Sequence, residues 1–87
     1  MKATAQYTPN PNAVKFTAEE QLFEGAKSTH GKAGDDISHP LLKQILALEG
    51  VDSIMAYGDF VSVNKVDAAS WDTLEPAVLD VFATYGV

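Results

Sequence analysis

Two strand-like segments around Gly58-Asp59, together with the amphipathic segment that follows them, constrain the fold most strongly. Residues 53–57 and 60–66 flank this glycine and aspartate, a pair typical of a two-residue hairpin turn. In the second arm, Val61 and Val63 alternate with polar residues, so one face of the hairpin is predicted to be buried. A helix with an apolar stripe after such a hairpin favours a two-layer α+β sandwich.

Two segments have the hydrophobic period of a helix with a single apolar stripe. The first helix is predicted to begin with Ser38 as N-cap and Pro40 in its first turn, and to end at Gly50 as the C′ residue. The second is predicted to begin at Ser70 and to stop at Gly86. Its stripe consists of Trp71, Leu74, Val78, Val81, Phe82 and Tyr85. Both helices are therefore expected on one face of the sheet.

Three further strands are predicted before the first helix. Residues 2–8 alternate between apolar and polar, residues 13–17 resume a strand after a Pro-Asn-Pro-Asn turn, and residues 21–26 form a weaker strand. Residues 27–37 are predicted to be a mobile loop. The predicted order is β-β-β-α-β-β-α, in one domain over residues 1–87, with a small, mostly antiparallel or mixed sheet.

The sequence contains no cysteine, so its 87 residues must fold without disulfides. Hydrophobic residues make up 46% of the chain, which is enough to form a core. The lack of cysteine also excludes thiolate zinc sites, cysteine nucleophiles and cysteine-ligated iron–sulfur clusters. This sequence therefore cannot hold a cluster through its own thiolates.

No other motif in the sequence indicates catalysis or cofactor binding. The serines lack a Gly-x-Ser-x-Gly elbow, and the glycines do not form a phosphate-binding loop. His30 and His39 are nine residues apart, with Asp35 and Asp36 between them, which is not the ligand spacing of a known metal site. We therefore predict no enzyme activity, no cofactor and no metal site. Weak iron binding through carboxylates and histidines is an alternative.

Six lysines and twelve acidic residues give a net charge of −6, and arginine is absent. Nucleic-acid binding is not expected, because phosphate backbones need clustered positive charge. Residues 44–87 carry one lysine and seven acids, so the negative charge is concentrated in that half. This half is either a solvated acidic face or a docking surface for a basic partner.

The hydrophobic runs are short. None exceeds four residues, so no membrane span is expected. The residues after Met1 lack the apolar stretch of a signal peptide. We therefore expect a cytoplasmic protein that does not bind membranes.

Four sequence segments follow one another in a recognisable order. The most specific is the nine-residue string Thr8-Pro9-Asn10-Pro11-Asn12-Ala13-Val14-Lys15-Phe16. It is followed by Ser38-His39-Pro40-Leu41, by Glu49-Gly50-Val51 leading to Gly58-Asp59-Phe60-Val61-Ser62-Val63-x-Lys65, and by Trp71-Asp72-x-Leu74-x-Pro76. Together these segments resemble the N-terminal domain of Nfu/NifU-type iron–sulfur scaffold proteins. The resemblance extends over nearly the whole chain.

In that family, the N-terminal domain usually precedes a second domain whose Cys-x-x-Cys motif holds the cluster. This sequence lacks the motif, and it is expected to be like the short bacterial form in which the N-terminal domain stands alone. The resemblance implies a non-catalytic accessory role, in which the domain contacts an assembly factor, a scaffold or an acceptor protein. A peptide- or protein-binding adaptor unrelated to iron is the alternative.

The residues predicted to contact a protein partner are Asn10, Asn12, Lys15, Tyr57 and Asp59. The two asparagines belong to a turn made rigid by prolines, which is either a structural turn or a recognition loop. Tyr57 is expected at the end of a hairpin, where its ring is either exposed or packed. The acids of the second half would steer a basic partner toward this surface.

Overall fold

The computed structural model describes residues 1–23 and 28–85. These residues form five strands and two helices in the order β-β-β-α-β-β-α. The elements are β1 (Ala3–Tyr7), β2 (Ala13–Ala18), β3 (Thr29–Lys32), α1 (Pro40–Leu46), β4 (Val51–Tyr57), β5 (Phe60–Lys65) and α2 (Trp71–Thr84). The predicted α+β class and the predicted element order are confirmed.

The strands form one antiparallel sheet in the order β1-β2-β5-β4-β3. β5 lies at its centre, where Phe16 of β2 is opposite Val61 and Tyr57 of β4 is opposite Phe60. The central strand therefore joins the N-terminal hairpin to the second half of the chain. This pairing between distant segments decides which side chains share a face.

Both helices cover the same face of this sheet. Phe16 and Val61 are fully buried, and their register puts them on one side. Phe16 packs against Phe82 of α2, with ring centroids 6.3 Å apart. Leu41 and Ile45 of α1 are fully buried in the same hydrophobic cluster. The predicted two-layer sandwich is therefore confirmed.

The hairpin and the last helix form as the sequence predicts. Gly58 has a φ of +59°, whereas no described non-glycine residue has a positive φ. A positive φ at only the first central residue matches a type II′ turn. At the start of α2, the Ser70 hydroxyl accepts a hydrogen bond from the Asp72 amide at 3.2 Å. The predicted stop at Gly86 lies outside the described residues.

The third strand was wrongly predicted. Residues 21–23 do not pair as a strand, because the amides of Leu22 and Phe23 both donate to the Gly58 carbonyl, at 2.8 and 2.9 Å. The rest of that predicted strand lies outside the described residues. The actual β3 falls inside the predicted loop. Its core-facing residue is Gly31, where a Cβ would collide with the side chain of Ile37, so the strand carries no hydrophobic signal.

The ends of α1 differ from the prediction. The N-cap is His39 rather than Ser38, and its backbone is extended. Pro40 is the first helical residue, and the residue before a proline avoids the helical conformation. The helix ends at Leu46, and Gly50 lies four residues later with a φ of +100°, as part of the turn into β4. Neither α1 nor α2, the helices of the described ranges, is long and apolar enough to cross a membrane.

Candidate functional site

The face of the sheet opposite the helices carries the side chains that alternate with the core residues. Lys15, Ser62, Met55 and His30 are paired in one row across β2, β5, β4 and β3. We call this surface the open face. Its outward-pointing strand residues include Thr4, Gln6, Lys15, Thr17, His30, Lys32, Ser53, Met55, Tyr57, Phe60, Ser62 and Asn64. All of them are exposed or half-buried, as expected of a solvent-facing layer.

A lysine and two aromatic rings form the centre of the open face. The Lys15 ammonium lies 4.5 Å from the centroid of the Phe60 ring, in the geometry of a cation–π contact. The Tyr57 ring is 6.2 Å from Phe60 and is 41% exposed. Two of the predicted contact residues, Lys15 and Tyr57, are therefore brought together here by Phe60.

Phe60, Met55 and His30 were not predicted as contact residues. The sequence contained a usable signal for the first two. Once Val61 and Val63 are assigned to the core, strand alternation turns Phe60 outward. The two-residue turn sets the register between the two arms of the hairpin, and this register turns Met55 to the same face. No comparable signal exists for His30, because its strand was predicted to be a loop.

The open face differs in charge from the rest of the chain. Lys15 and Lys32 are its lysines, and the strand carboxylate nearest to it is the exposed Asp52, at the β-bulge near the start of β4. The whole sequence nevertheless has a net charge of −6. Apart from Asp52 in β4, the acids of the described residues lie on loops and on α2. Such a face attracts an acidic partner surface better than a basic one.

Asn10 and Asn12 belong to the β1–β2 turn and make hydrogen bonds within it. The Asn10 side-chain oxygen accepts from the Asn12 amide at 3.0 Å, an Asx turn. The Ala13 amide donates to the Asn10 carbonyl at 3.1 Å, and the Asn10 amide donates to the Thr8 hydroxyl at 3.2 Å. These bonds are those of a structural turn.

The same turn is fastened to the segment that leads into α2. The Asn12 side-chain amide donates to the Asp67 carboxylate at 2.6 Å, and its oxygen accepts from the Lys65 ammonium at 3.1 Å. The indole of Trp71 donates to the Pro11 carbonyl at 3.1 Å. The Trp71 side chain is buried and packs against Phe16, which agrees with a core role.

The structure does not bring all five predicted contact residues to one place. The Lys65 amide donates a hydrogen bond to the Asn12 carbonyl, whereas the Ala18 amide donates to the Asp59 carbonyl. Asn12 and Asp59 therefore lie at opposite ends of the antiparallel strands β2 and β5. Lys15, between these ends, belongs with Tyr57 to the open face.

The two histidines have separate surroundings. The His30 ring nitrogen Nε2 is 2.9 Å from the Ser28 hydroxyl. The His39 ring lies between Phe23 and Tyr85, with centroid distances of 5.0 and 5.8 Å, and burial lowers its pKa below the ordinary value. Within residues 1–23 and 28–85, no three histidine or acidic side chains are grouped as metal ligands would be.

Comparison with known proteins identifies the family. Residues 3–86 match the family model described as the N-terminal part of the scaffold protein Nfu/NifU. The chain therefore belongs to the Nfu/NifU N-terminal family, and the resemblance noted in the sequence is confirmed. That family consists of iron–sulfur scaffold and assembly proteins rather than classical enzymes.

Three individual proteins illustrate the similarity. NifU-like protein 5, mitochondrial, from Arabidopsis thaliana is 36% identical over 78 residues, covering 90% of this chain and 27% of that protein. The human NFU1 iron-sulfur cluster scaffold homolog, mitochondrial, is 32% identical over 80 residues, covering 91% of this chain and 30% of the human protein. The chain thus spans less than a third of these curated relatives. The crystal structure of SAV1430 from Staphylococcus aureus superposes with a TM-score of 0.83 at 40% identity, covering 94% of this chain and 99% of SAV1430.

Proposed function

We propose that this domain is a non-catalytic protein-interaction domain of iron–sulfur cluster assembly. In this role it contacts a scaffold, an assembly factor or an acceptor protein, and it does not itself hold a cluster through thiolates. The observation that carries the proposal is a cysteine-free sequence in a family of iron–sulfur scaffold proteins. A member without thiolates can still contribute to assembly by binding another protein.

The open face is the surface that we propose for this contact. Aromatic rings with one exposed side and a lysine stem provide apolar contact area at low conformational cost. The Tyr57 and Phe60 rings and the Lys15 side chain make up such a patch. Because Lys15 and Lys32 lie on the open face and the nearest strand carboxylate, Asp52, is at the bulge near one end of β4, the proposed partner presents carboxylates around an apolar side chain. A contact between two open faces would place lysines against lysines.

The proposal is tested by capture from a lysate of the source cells, followed by mass spectrometry. The bait is the tagged chain, as wild type, as Lys15→Glu and as Lys43→Glu. Both variants change the net charge by −2, but Lys43 is an exposed residue of α1, away from the open face. We expect iron–sulfur scaffold or cluster-containing proteins with the wild type and with Lys43→Glu, and their loss with Lys15→Glu.

Other outcomes point to other functions. Recovery of proteins unrelated to iron, with the same dependence on Lys15, would favour the general adaptor instead. Stoichiometric iron uptake in an anaerobic titration would favour iron carriage through carboxylates and histidines. Equal capture by all three baits would place the contact away from the open face.

A cytoplasmic location is part of the same proposal. The cysteine-free composition is compatible with a reducing compartment, where proteins fold without disulfides. The curated relatives named above are called mitochondrial, which describes those proteins. Cell fractionation followed by immunoblotting of the endogenous protein tests the location, and recovery in an organelle or in the extracellular fraction would contradict it.

A further inference from the structure

The outer edge of β1 carries backbone groups that no other described segment uses. β1 is the first strand of the sheet and pairs only with β2. The Glu19 amide donates to the Lys2 carbonyl at 3.2 Å, so the even-numbered residues of β1 exchange their hydrogen bonds with β2. The amides and carbonyls of Ala3, Ala5 and Tyr7 therefore point away from the sheet, and they have no hydrogen-bond partner among the described residues.

The opposite edge of the sheet, at β3, is partly closed. The Ala33 amide donates to the Asp52 carbonyl at 2.9 Å, so the outward backbone groups of β3 are those of His30 and Lys32. The Lys32 amide donates to the Asp35 carboxylate at 2.8 Å, and the Lys32 carbonyl accepts from the Asp35 amide at 2.9 Å. The turn after β3 thus occupies one of its two outward residues, whereas no such turn occupies the edge of β1 in the part of the chain that the structure describes.

β1 also lacks the residues that usually protect an edge strand. Edge strands of monomeric proteins are protected by charged side chains, prolines or bulges, because an unpaired edge is a template for another strand. The sequence of β1 is Ala-Thr-Ala-Gln-Tyr, without a charge or a proline, and its register with β2 is regular over all five residues. Such an edge favours pairing with another extended chain.

The edge of β1 is complementary to itself. If two copies of β1 lie antiparallel with Ala5 opposite Ala5, then Ala3 of each copy lies opposite Tyr7 of the other. These pairs are of the hydrogen-bonded kind, and together they satisfy every outward amide and carbonyl of both strands. Thr4 of each copy then lies opposite Gln6 of the other, so the side chains that meet between these pairs are polar and uncharged.

The helix beside β1 does not oppose this pairing. The Tyr7 hydroxyl donates to Glu75 at 2.6 Å, and the Met1 nitrogen lies 3.3 Å from the Tyr85 carbonyl oxygen, so α2 runs antiparallel to β1. In the pair of strands, Glu75 of one copy therefore lies near Ala3 of the other copy. The Glu75 carboxylates of the two copies lie toward opposite ends of the interface, where they do not face each other.

We propose that two copies of this chain associate through β1, with a two-fold axis at Ala5, into one continuous sheet with five strands from each copy. The axis that relates two antiparallel strands of a sheet is perpendicular to the sheet, so both open faces point to the same side. Two open faces held side by side bind a partner with two acidic patches more tightly than a single open face does. The self-association follows from the strand edge, whereas this bivalent contact rests on the proposed function.

Sedimentation equilibrium of the full chain measures the self-association. A pair of five-residue strands buries a small area, so we expect a weak dimer and choose protein concentrations from about 10 μM to about 1 mM. The mean mass should rise over this range from that of one chain toward twice that mass. Because each copy has a net charge of −6, the association should strengthen when the salt concentration is raised from about 0.1 M to about 1 M.

Ala5→Pro tests the edge without removing a hydrogen bond within the sheet. The Ala5 amide points outward, so proline there keeps the bonds to β2 but removes both central bonds of the dimer. We expect the association constant to fall at least about tenfold. If this variant does not fold, Ala3→Pro removes an outward amide nearer the start of the strand. His30→Pro, which removes an outward amide of the other edge strand, is the matched control and should leave the association unchanged.

Single cysteines determine the register, because the chain has no cysteine of its own. Thr4 and Gln6 are exposed, and across the two-fold axis they form a non-hydrogen-bonded pair. The Cα atoms of such a pair are about 4.5 Å apart, which is within the range of a disulfide. Under mild oxidation, a mixture of the Thr4→Cys and Gln6→Cys chains should form the mixed disulfide faster than either variant alone forms its own, as measured by intact mass spectrometry.

Each contrary result overturns the proposal in a recognisable way. A chain that stays monomeric over the whole concentration range would exclude a second copy as the occupant of this edge. Association that persists in both proline variants of β1, or that weakens with salt, would place the contact elsewhere. Equal rates for the mixed and single cysteine variants would contradict the register. The open face is tested separately by capture with Lys15→Glu, so failure of self-association is distinguishable from failure of the proposed function.

Discussion

The indole Nε1 of Trp71 donates a hydrogen bond to the carbonyl oxygen of Pro11, with 3.1 Å between nitrogen and oxygen. The two residues are 60 positions apart in the sequence. Their contact joins the first residue of α2 to the turn between β1 and β2. Trp71 thereby fills the core against Phe16 and also satisfies a carbonyl of the proline-containing turn.

Trp71→Phe is expected to lower the free energy of unfolding by about 1–2 kcal/mol, because it keeps an aromatic ring but loses the hydrogen bond. Trp71→Ala should cost about 3–5 kcal/mol, because it also leaves a cavity. Urea unfolding followed by circular dichroism measures both values. A Phe variant as stable as the wild type would show that the bond to Pro11 contributes nothing.

Asn10→Ala combined with Asn12→Ala is expected to lower stability by about 1–2 kcal/mol, with unchanged helix content in the folded state. The reason is the loss of the Asx turn and of the bonds to Asp67 and Lys65. Asn64→Ala on the open face is the matched control. Thermal melting should show a decrease for the double variant alone, and equal melting temperatures would favour the recognition loop.

Gly58→Val is expected to destabilise the fold by about 1–3 kcal/mol through backbone strain. Steric collision does not contribute, since a Cβ on Gly58 would meet nothing within 4 Å. Asp59→Val, one residue later and without a positive φ, should have a smaller effect. Denaturant midpoints measure the difference, and equal losses for the two variants would contradict the role of φ.

The stability of the protein is expected to fall as the pH drops below about 6.5, in part because of His39. Burial lowers the pKa of His39 in the folded state, so the unfolded chain binds the proton more readily. The contribution of His39 to stability is therefore fully present above the pKa that His39 has in the unfolded chain. It decreases as the pH falls toward the lower pKa of His39 in the folded state.

His39→Phe should remove this dependence while keeping the contacts with Phe23 and Tyr85. Loss of the Nδ1 atom should change the free energy of unfolding little, because this buried nitrogen has no hydrogen-bond partner within the described residues. His30→Gln, which changes an exposed histidine, is the control. Urea unfolding between pH 8 and about pH 5.5 tests the prediction, and an unchanged slope for His39→Phe would refute it.

The purified protein is expected to be colourless after anaerobic incubation with iron and sulfide followed by desalting. No cysteine is available to ligate a cluster, and the described residues contain no grouped histidine and acidic ligands. Visible absorption and iron analysis provide the measurement. A stable coloured complex at one cluster per chain would show that other ligands suffice.

The sequence determined those parts of the fold that depend on neighbouring residues. The hairpin of β4 and β5 follows from strand alternation and from the freedom of Gly58 to adopt a positive φ. The start of α2 follows from Ser70, whose hydroxyl reaches an amide two residues later. Both signals act over a few residues, so they can be recognised without knowledge of the tertiary structure.

Only the tertiary structure revealed β3, because its core-facing residue is a glycine. Gly31 is needed since the side chains of Ile37 and Leu46 occupy the space of a Cβ, and neither contact is visible as a sequence period. The start of α1 depended on a local steric effect, because Pro40 keeps the preceding residue, His39, out of the helical conformation.

The candidate contact residues were identified from the sequence, but their arrangement was decided by the fold. Lys15 and Tyr57 share the open face because β2 pairs with β5, which in turn pairs with β4. Asn12 is turned toward Asp67, 55 residues away, and so supports the loop after β5. Pairing between distant segments depends on the burial of a common core, and local residue preferences cannot specify which distant strands will meet.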